Sequence, residues 1–158
     1  MNFIITRQNL HNGLAAVSAS IPSKTTLPVL SNILFEARED GVWMSGTDLD
    51  VAVRVRAPAD VKEAGSLTAP GKKLQEITRE LPDQPVEVAT RGDQIELKCG
   101  RSHFKFNGLP ADEFPSLAEI HFDDGWTVRG KDLHGLIYHT AFAVSTEESR
   151  PILNGVLW

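Results

Sequence analysis

Nine residues at the end of the chain repeat nine near its start. Leu27-Pro28-Val29-Leu30-Ser31-Asn32-Ile33-Leu34-Phe35 returns as Arg150-Pro151-Ile152-Leu153-Asn154-Gly155-Val156-Leu157-Trp158, at a constant shift of 123 residues. The same shift, without a gap, pairs Phe3 with Trp126, Ile5 with Val128, Leu10 with Leu133, His11 with His134, Leu14 with Ile137 and Ile21 with Val144. An ungapped register that keeps the large apolar positions is one structural unit begun twice. The expected organisation is therefore a complete first domain, residues 1–120, followed by the start of a second, residues 121–158, with strand, helix and strand in place and the rest missing.

At 41% hydrophobic residues the chain can build a core for the first unit. No window is apolar over the length of a membrane span, and Met1-Asn2-Phe3-Ile4-Ile5-Thr6 is too short and uncharged for a signal peptide. A cytoplasmic protein is expected, and the single cysteine, Cys99, excludes an internal disulfide. The formal charge of -5 argues against a surface that is basic all over. Asp112, Glu113, Glu119, Asp123 and Asp124 supply five negative charges inside one Pro- and acid-rich stretch, 108–125, which reads as a linker. The remainder is close to neutral, which leaves room for a local basic face.

Periodicity supplies the elements. Asn2 to Ile5 predicts a strand, and Thr6 an N-cap for a helix over Arg7 to Ser20 with Leu10, Leu14, Val17 and Ile21 on one face. Ser31 to Arg38 and Val42 to Gly46 predict a hairpin about Glu39-Asp40-Gly41. Val51, Val53 and Val55 alternate with Arg54 and Arg56 in a further strand that Pro58 closes. A second helix from Gly71 to about Glu80 buries Leu74, Ile77 and Leu81 and shows Lys72, Lys73 and Arg79. Strands at Val86 to Thr90, Gln94 to Cys99 and Ser102 to Asn107 follow. The second copy begins with Trp126-Thr127-Val128, and a helix over Lys131 to Val144 turns Leu133, Leu136, Ile137 and Thr140 inward. Helices separated by runs of strands make the class α+β with a mostly antiparallel sheet.

No phosphate loop, metalloprotease motif, nucleophile elbow or heptad run occurs, so no catalytic residue, metal site or cofactor is expected. Thr47-Asp48-Leu49-Asp50 is an acidic pair of the kind that can hold magnesium, and equally an ordinary turn. Cys99 with His103 is two ligands short of a zinc site. His11 and His134 read as helix-surface residues. The cations Lys72, Lys73 and Arg79, with Lys24 and Arg7, read either as a solvated face or as contacts to phosphates; spacing alone leaves both open.

A set of motifs in order along the whole chain resembles one family. Thr26-Leu27-Pro28-Val29-Leu30-Ser31-Asn32-Ile33-Leu34, Ser45-Gly46-Thr47-Asp48-Leu49-Asp50, Gly100-Arg101-Ser102 with Phe104, Leu109-Pro110-Ala111-Asp112-Glu113-Phe114-Pro115, and Arg150 with Leu153-Asn154-Gly155 are similar to the bacterial sliding clamp, the beta subunit of DNA polymerase III. The resemblance implies a DNA clamp fold, in which each unit packs two helices on antiparallel sheets and two three-unit subunits close head to tail as a homodimer around double-stranded DNA. It implies a non-catalytic processivity factor that slides on the duplex and tethers the polymerase, served by a clamp loader, with no membrane partner. Hole-lining basic positions fall on Lys24, Lys72, Lys73, Arg79 and Arg7. The subunit interface falls on Leu81, Arg101, His103, Phe104 and Phe106, Phe104 and Phe106 sharing a strand face, and the partner-peptide pocket on Leu153. In the loop Thr146 to Ile152, Glu147 and Glu148 stand where relatives carry amide and aromatic residues. The competing reading is a small metal-dependent hydrolase built on Asp48 and Asp50.

Overall fold

A computed structural model describes residues 1–22, 24–117, 125–147 and 149–157. Within it the chain divides into two compact units, Met1–Leu117 and Ala118–Trp158. Glu119, Asp123, Asp124, Glu148 and Trp158 lie outside the described residues.

The first unit runs β1 (Asn2–Thr6), α1 (Arg7–Ser18), a 3-10 turn (Pro28–Ser31), β2 (Asn32–Arg38), β3 (Gly41–Thr47), β4 (Ala52–Ala57), β5 (Asp60–Glu63), β6 (Gly65–Pro70), α2 (Gly71–Glu80), β7 (Pro85–Arg91), β8 (Gln94–Cys99) and β9 (Ser102–Asn107). The strands form two sheets, ordered β5-β1-β7-β8-β9 and β4-β3-β2-β6. Every pairing among the described residues is antiparallel.

α1 starts where expected. Thr6 Oγ1 accepts the Asn9 amide at 3.1 Å, which satisfies one of the first-turn donors. Its face of Leu10, Leu14 and Val17 is buried, and the helix ends at Ser18, four residues ahead of Pro22. α1 packs on α2, β1, β3 and β4, and α2 on β2 and β6. One core collects Phe3, Ile5, Leu14, Ile33, Phe35, Met44, Leu74, Ile95 and Leu97 from both helices and both sheets.

The β2-β3 hairpin pairs Arg38 with Gly41, so Glu39 and Asp40 alone make the turn and Gly41, at φ +130°, opens the return strand. On β4, Val53 and Val55 pack on the core while Arg54 and Arg56 point out. There the Arg54 guanidinium lies 4.8 Å from the centre of the Trp43 ring, and Glu36 accepts from both Arg54 and Arg38, at 2.8 and 2.6 Å. The alternation of valine and arginine thus clothes one sheet face with charge while filling the other.

Two expectations need correction here. Residues 108–117 are not linker. Leu109 bonds to Thr68 through its backbone, and Phe114 joins Val29 and Leu30 in a second small core, with Leu34, Leu109 and Leu117 against it. The other correction is β5, a strand that periodicity does not predict; it is four residues long, and its place on the sheet edge is set by pairing with β1.

The second unit contains α3 (Gly130–Thr140), a 3-10 turn continuing it (Ala141–Ala143) and another at Pro151–Leu153. This last turn stands one repeat after Pro28–Ser31, so the repeat holds for helix and 3-10 turn. It does not hold for strands: neither 126–128 nor 155–157 is extended into a ladder, contrary to the expected strand, helix and strand. The reason is partnership. β1 is held by β5 and β7, and β2 by β3 and β6, and none of those four strands has a counterpart within residues 126–158. Unpaired backbone gains nothing from the extended form. Nor does the inward face close: Ile137 is 42% exposed where Leu14 is 0%, and Leu153 is 48% exposed where Leu30 is 4%.

Candidate nucleic-acid interface

α2 positions most of the basic residues. Lys72, Lys73 and Arg79 are all exposed, but the helix also shows Glu76 and Glu80. At about 100° per residue, Lys72 and Arg79, seven apart, share one flank with Gln75. Lys73 stands on the other, beside Ile77 and Glu80. The three cations are therefore not one stripe. Lys72 and Gln75 line a cavity of about 350 Å³ with Ser18, Ile21, Pro22 and Ser31, at the seam between α1 and α2. Lys24 is exposed and lines an open depression of about 490 Å³ together with Leu27, Leu30, Asp48 and Leu49. Arg7 differs from the other four. It is half-buried in the first turn of α1, its Nε has no hydrogen-bond partner among the described residues, and its charge is felt by the buried Cys99 thiol. Burial pushes that thiol up, against the pull of the Gln84 backbone and Arg7.

Of the acidic pair, the Asp48 carboxylate is used by the backbone. Asp48 Oδ1 accepts the amides of Asp50 at 3.1 Å and Val51 at 2.7 Å, while Thr47 Oγ1 accepts the Leu49 amide at 3.0 Å and donates to the Val51 carbonyl at 2.9 Å. These four bonds hold Leu49 at φ +83°, the only non-glycine residue at positive φ among the described residues. A carboxylate committed to closing a turn is a poor general base or metal ligand, so the hydrolase reading fails on geometry. Among the described residues no three His, Cys, Asp or Glu side chains converge.

The residues expected at a subunit edge lie on β9 and just below α2, and β9 is the last strand of its sheet, with one side unpaired among the described residues. Phe104 is half-buried and lines a cavity of about 280 Å³ with Glu76, Ile77, Glu80, Leu81 and Ser102. Phe106, expected beside it as an anchor, is 7% exposed, and Leu81 is 5% exposed. Both side chains are committed to the unit's own core, which leaves Phe104, with the exposed Arg101 and His103, as what this edge can offer. Leu153, assigned to the peptide pocket, sits half-exposed in the 3-10 turn, its carbonyl accepting the Ser145 amide at 2.9 Å.

No motif or spacing points to Glu96. Its side chain is only 7% exposed, on the face of β8 opposite the core, with Lys105 Nζ at 2.9 Å and His103 Nε2 at 3.4 Å. The Lys105 hydrogen bond, against the penalty of burial and with help from the charges of Lys105 and Arg91 and the bond from His103, holds the Glu96 carboxyl below the usual carboxylate range. A carboxyl whose folded pKa is depressed contributes stability that is present above its unfolded pKa and lost as pH falls through the folded one. Thermal melts across the acid range should therefore show a shallower loss of Tm below the usual glutamate pKa in Glu96→Gln than in the parent. Equal slopes in the two proteins would remove Glu96 from the account of acid stability. The clue available in sequence is the cross-strand pairing of Glu96 with Lys105, which requires the β8-β9 register to be known first.

Among the described residues no helix is long and apolar enough to cross a membrane. Residues 1–118 match the family model for the N-terminal domain of the DNA polymerase III beta subunit. The chain is 34% identical to the beta sliding clamp of Staphylococcus epidermidis, with all of this chain and 44% of that protein aligned. It is 36% identical to the beta sliding clamp of Vibrio cholerae, again over all of this chain and 44% of the relative. The solved sliding clamp, DNA polymerase III subunit beta, of Pseudomonas aeruginosa superposes with a TM-score of 0.88 at 34% identity, over 98% of this chain and 42% of that one. The chain thus spans less than half the length of the relatives it matches. With its two antiparallel sheets backed by a pair of helices and a second copy begun at a fixed shift, it belongs to the beta sliding clamp family of DNA polymerase III.

Proposed function

We propose that the chain is the N-terminal part of a sliding clamp subunit, residues 1–120 forming the first clamp domain and residues 121–158 the opening of the second. The observation that carries this reading is a similarity to beta sliding clamps that runs through all of the chain and does not stop at the first domain. In this reading the protein acts in the cytoplasm as a non-catalytic processivity factor, and holds double-stranded DNA through phosphate contacts without reading sequence. Its second subunit meets it head to tail at the β9 edge, and polymerase and clamp loader are partners of the whole ring.

Three exposed cations carry the DNA contact: Lys72 at the α1-α2 seam, Arg79 on the same flank of α2, and Lys24 in the depression that shares Pro22 with that seam. Lys73 shares a flank of α2 with Ile77 and Glu80, which line the cavity under Phe104, and serves the subunit edge. Arg7, half-buried, sets local charge and makes at most a secondary contact. The tethering gain is one of effective concentration: a ring that cannot fall off the duplex keeps whatever it holds near the primer end.

Duplex binding measured as a function of salt tests the assignment. Removing one cation that neutralises a phosphate should lower the slope of log affinity against log salt by about 0.9. Replacing Lys24, Lys72 and Arg79 together with alanine should flatten it by roughly 2.7, while Lys73→Ala alone leaves it unchanged. An unaltered slope in the triple variant would show that these residues do not touch DNA.

A further inference from the structure

The internal repeat is a ruler for exposure. A residue of the second unit whose counterpart in the complete first unit is buried faces a core; one whose counterpart is exposed faces outward in its own right. Leu133 and Ile137 are of the first kind, matching Leu10 and Leu14, which are 1% and 0% exposed. Tyr138 and Phe142 are of the second. They match Ala15 and Ala19, both exposed on the outward side of α1. Their own exposures of 71% and 85% therefore belong to the surface.

Lys131, His134, Tyr138 and Phe142, at spacings of three and four, lie along one side of α3 and the 3-10 turn that continues it, opposite Leu133, Ile137 and Thr140. Tyr138 is braced by both histidines, stacked on His134 with ring centres 6.2 Å apart and edge-on to His139 at 5.4 Å. The first turn of α3 adds one exposed cation, Lys131, while Asp132 and Arg129 neutralise each other at 2.6 Å. The corresponding side of α1 is Gln8, His11, Asn12, Ala15 and Ala19, which offers two amides, one imidazole and two methyl groups. The two copies thus keep the same apolar inward positions and differ on the outward side.

We infer that this side of α3 is a stacking platform for unpaired bases of single-stranded DNA, an inference that rests on the clamp reading of the chain. Aromatic rings interleaved with basic groups suit single strands, whose bases offer open faces. In an intact duplex the base faces are covered, and a ring can reach them only as a wedge that kinks the helix. A protein that must slide gains nothing from a wedge, but gains a hold on the template where the duplex ends.

The test uses the full chain, a labelled oligothymidylate of ~20 nucleotides and a duplex of equal length. Tyr138→Ala should weaken oligothymidylate binding about tenfold, and Tyr138→Ala with Phe142→Ala further, with the salt slope unchanged because no counterions are released. Tyr138→Phe, which keeps the ring, should bind as the parent does, and duplex affinity should be the same in all of them. Unaltered oligothymidylate binding in the double variant overturns the inference, as does an equal loss on duplex and single strand, or a loss of self-association in place of DNA binding. The clamp reading is judged separately, by duplex binding of the triple lysine and arginine variant. If that variant holds duplex as the parent does while Tyr138→Ala fails on the single strand, the platform stands and the DNA-facing assignment of α1 and α2 falls.

Discussion

Leu14→Ala should lower the unfolding free energy by about 2–5 kcal/mol, while Ile137→Ala, the equivalent truncation one repeat later, should change it by less than about 1 kcal/mol. Leu14 is 0% exposed on α1, enclosed with Phe3, Leu10, Val17 and Met44 in the core shared by both sheets and both helices. Removing its branched end deletes the transfer free energy of the methyl groups and leaves a cavity that the two sheets cannot collapse to fill. Ile137 occupies the same helical position with 42% of its surface in water and, among the described residues of its unit, no sheet beneath it. It has little burial to lose and no cavity to create. Urea midpoints by circular dichroism give both numbers from one experiment. Comparable destabilisation at the two positions would mean that the second unit closes its core within residues 126–157, and that its exposed Ile137 and Leu153 are not the consequence of missing strands.

The same contrast explains what the sequence can and cannot disclose. α1, α2 and β7 to β9 are legible because their evidence is local: Thr6 before an apolar face at helical spacing, Gly71 to Glu80 ahead of Pro82, and alternation broken at Gly92 and Gly100. Among the described residues the strands expected at 126–128 and in the echo at 150–158 are not seen in a ladder, for the opposite reason. Their residues alternate as β1 and β2 do, but a strand is a property of a pair, and the pairing residues are elsewhere. β5 escapes the pattern on the same ground, since Asp60 to Glu63 contains one apolar residue and becomes a strand through β1. At the site, the types of Lys24, Lys72 and Arg79 announce their exposure. That Lys73 and Arg79 take different flanks, that Phe106 and Leu81 are spent on the core, and that Arg7 is half-buried all depend on where the helix and sheet meet. Asp48 shows how a motif can mislead: two acids in four residues suggest chemistry until the turn amides claim the carboxylate.

Thr68→Val should cost about 2–4 kcal/mol although valine keeps the size and branching of threonine. Thr68 is 0% exposed, and its hydroxyl joins groups that are distant in sequence. It accepts from Asn32 Nδ2 at 2.9 Å and from the Leu109 amide at 3.0 Å, and donates to the Leu109 carbonyl at 2.9 Å. Asn32, 7% exposed, has no other side-chain partner at that nitrogen among the described residues, so a methyl group in place of the hydroxyl strands one buried donor and the part-buried Leu109 amide at once. The cost is the desolvation of both, which is why it exceeds the net worth of any one bond. Thr68→Ser, which retains the hydroxyl and loses only a methyl, should cost roughly 1 kcal/mol. The damage should also be directional. With Leu109 held only by the backbone bond from the Thr68 amide to its carbonyl, at 3.1 Å, the segment that carries Phe114 onto Val29 and Leu30 loses part of its anchor, and the Phe114 amide should exchange with solvent faster in Thr68→Val than in Thr68→Ser at matched overall stability. If valine proves no worse than serine, the 109–117 segment is held by the packing of Phe114 and the backbone bond from the Thr68 amide to Leu109, and the Thr68 hydroxyl contributes nothing to keeping it on the sheet.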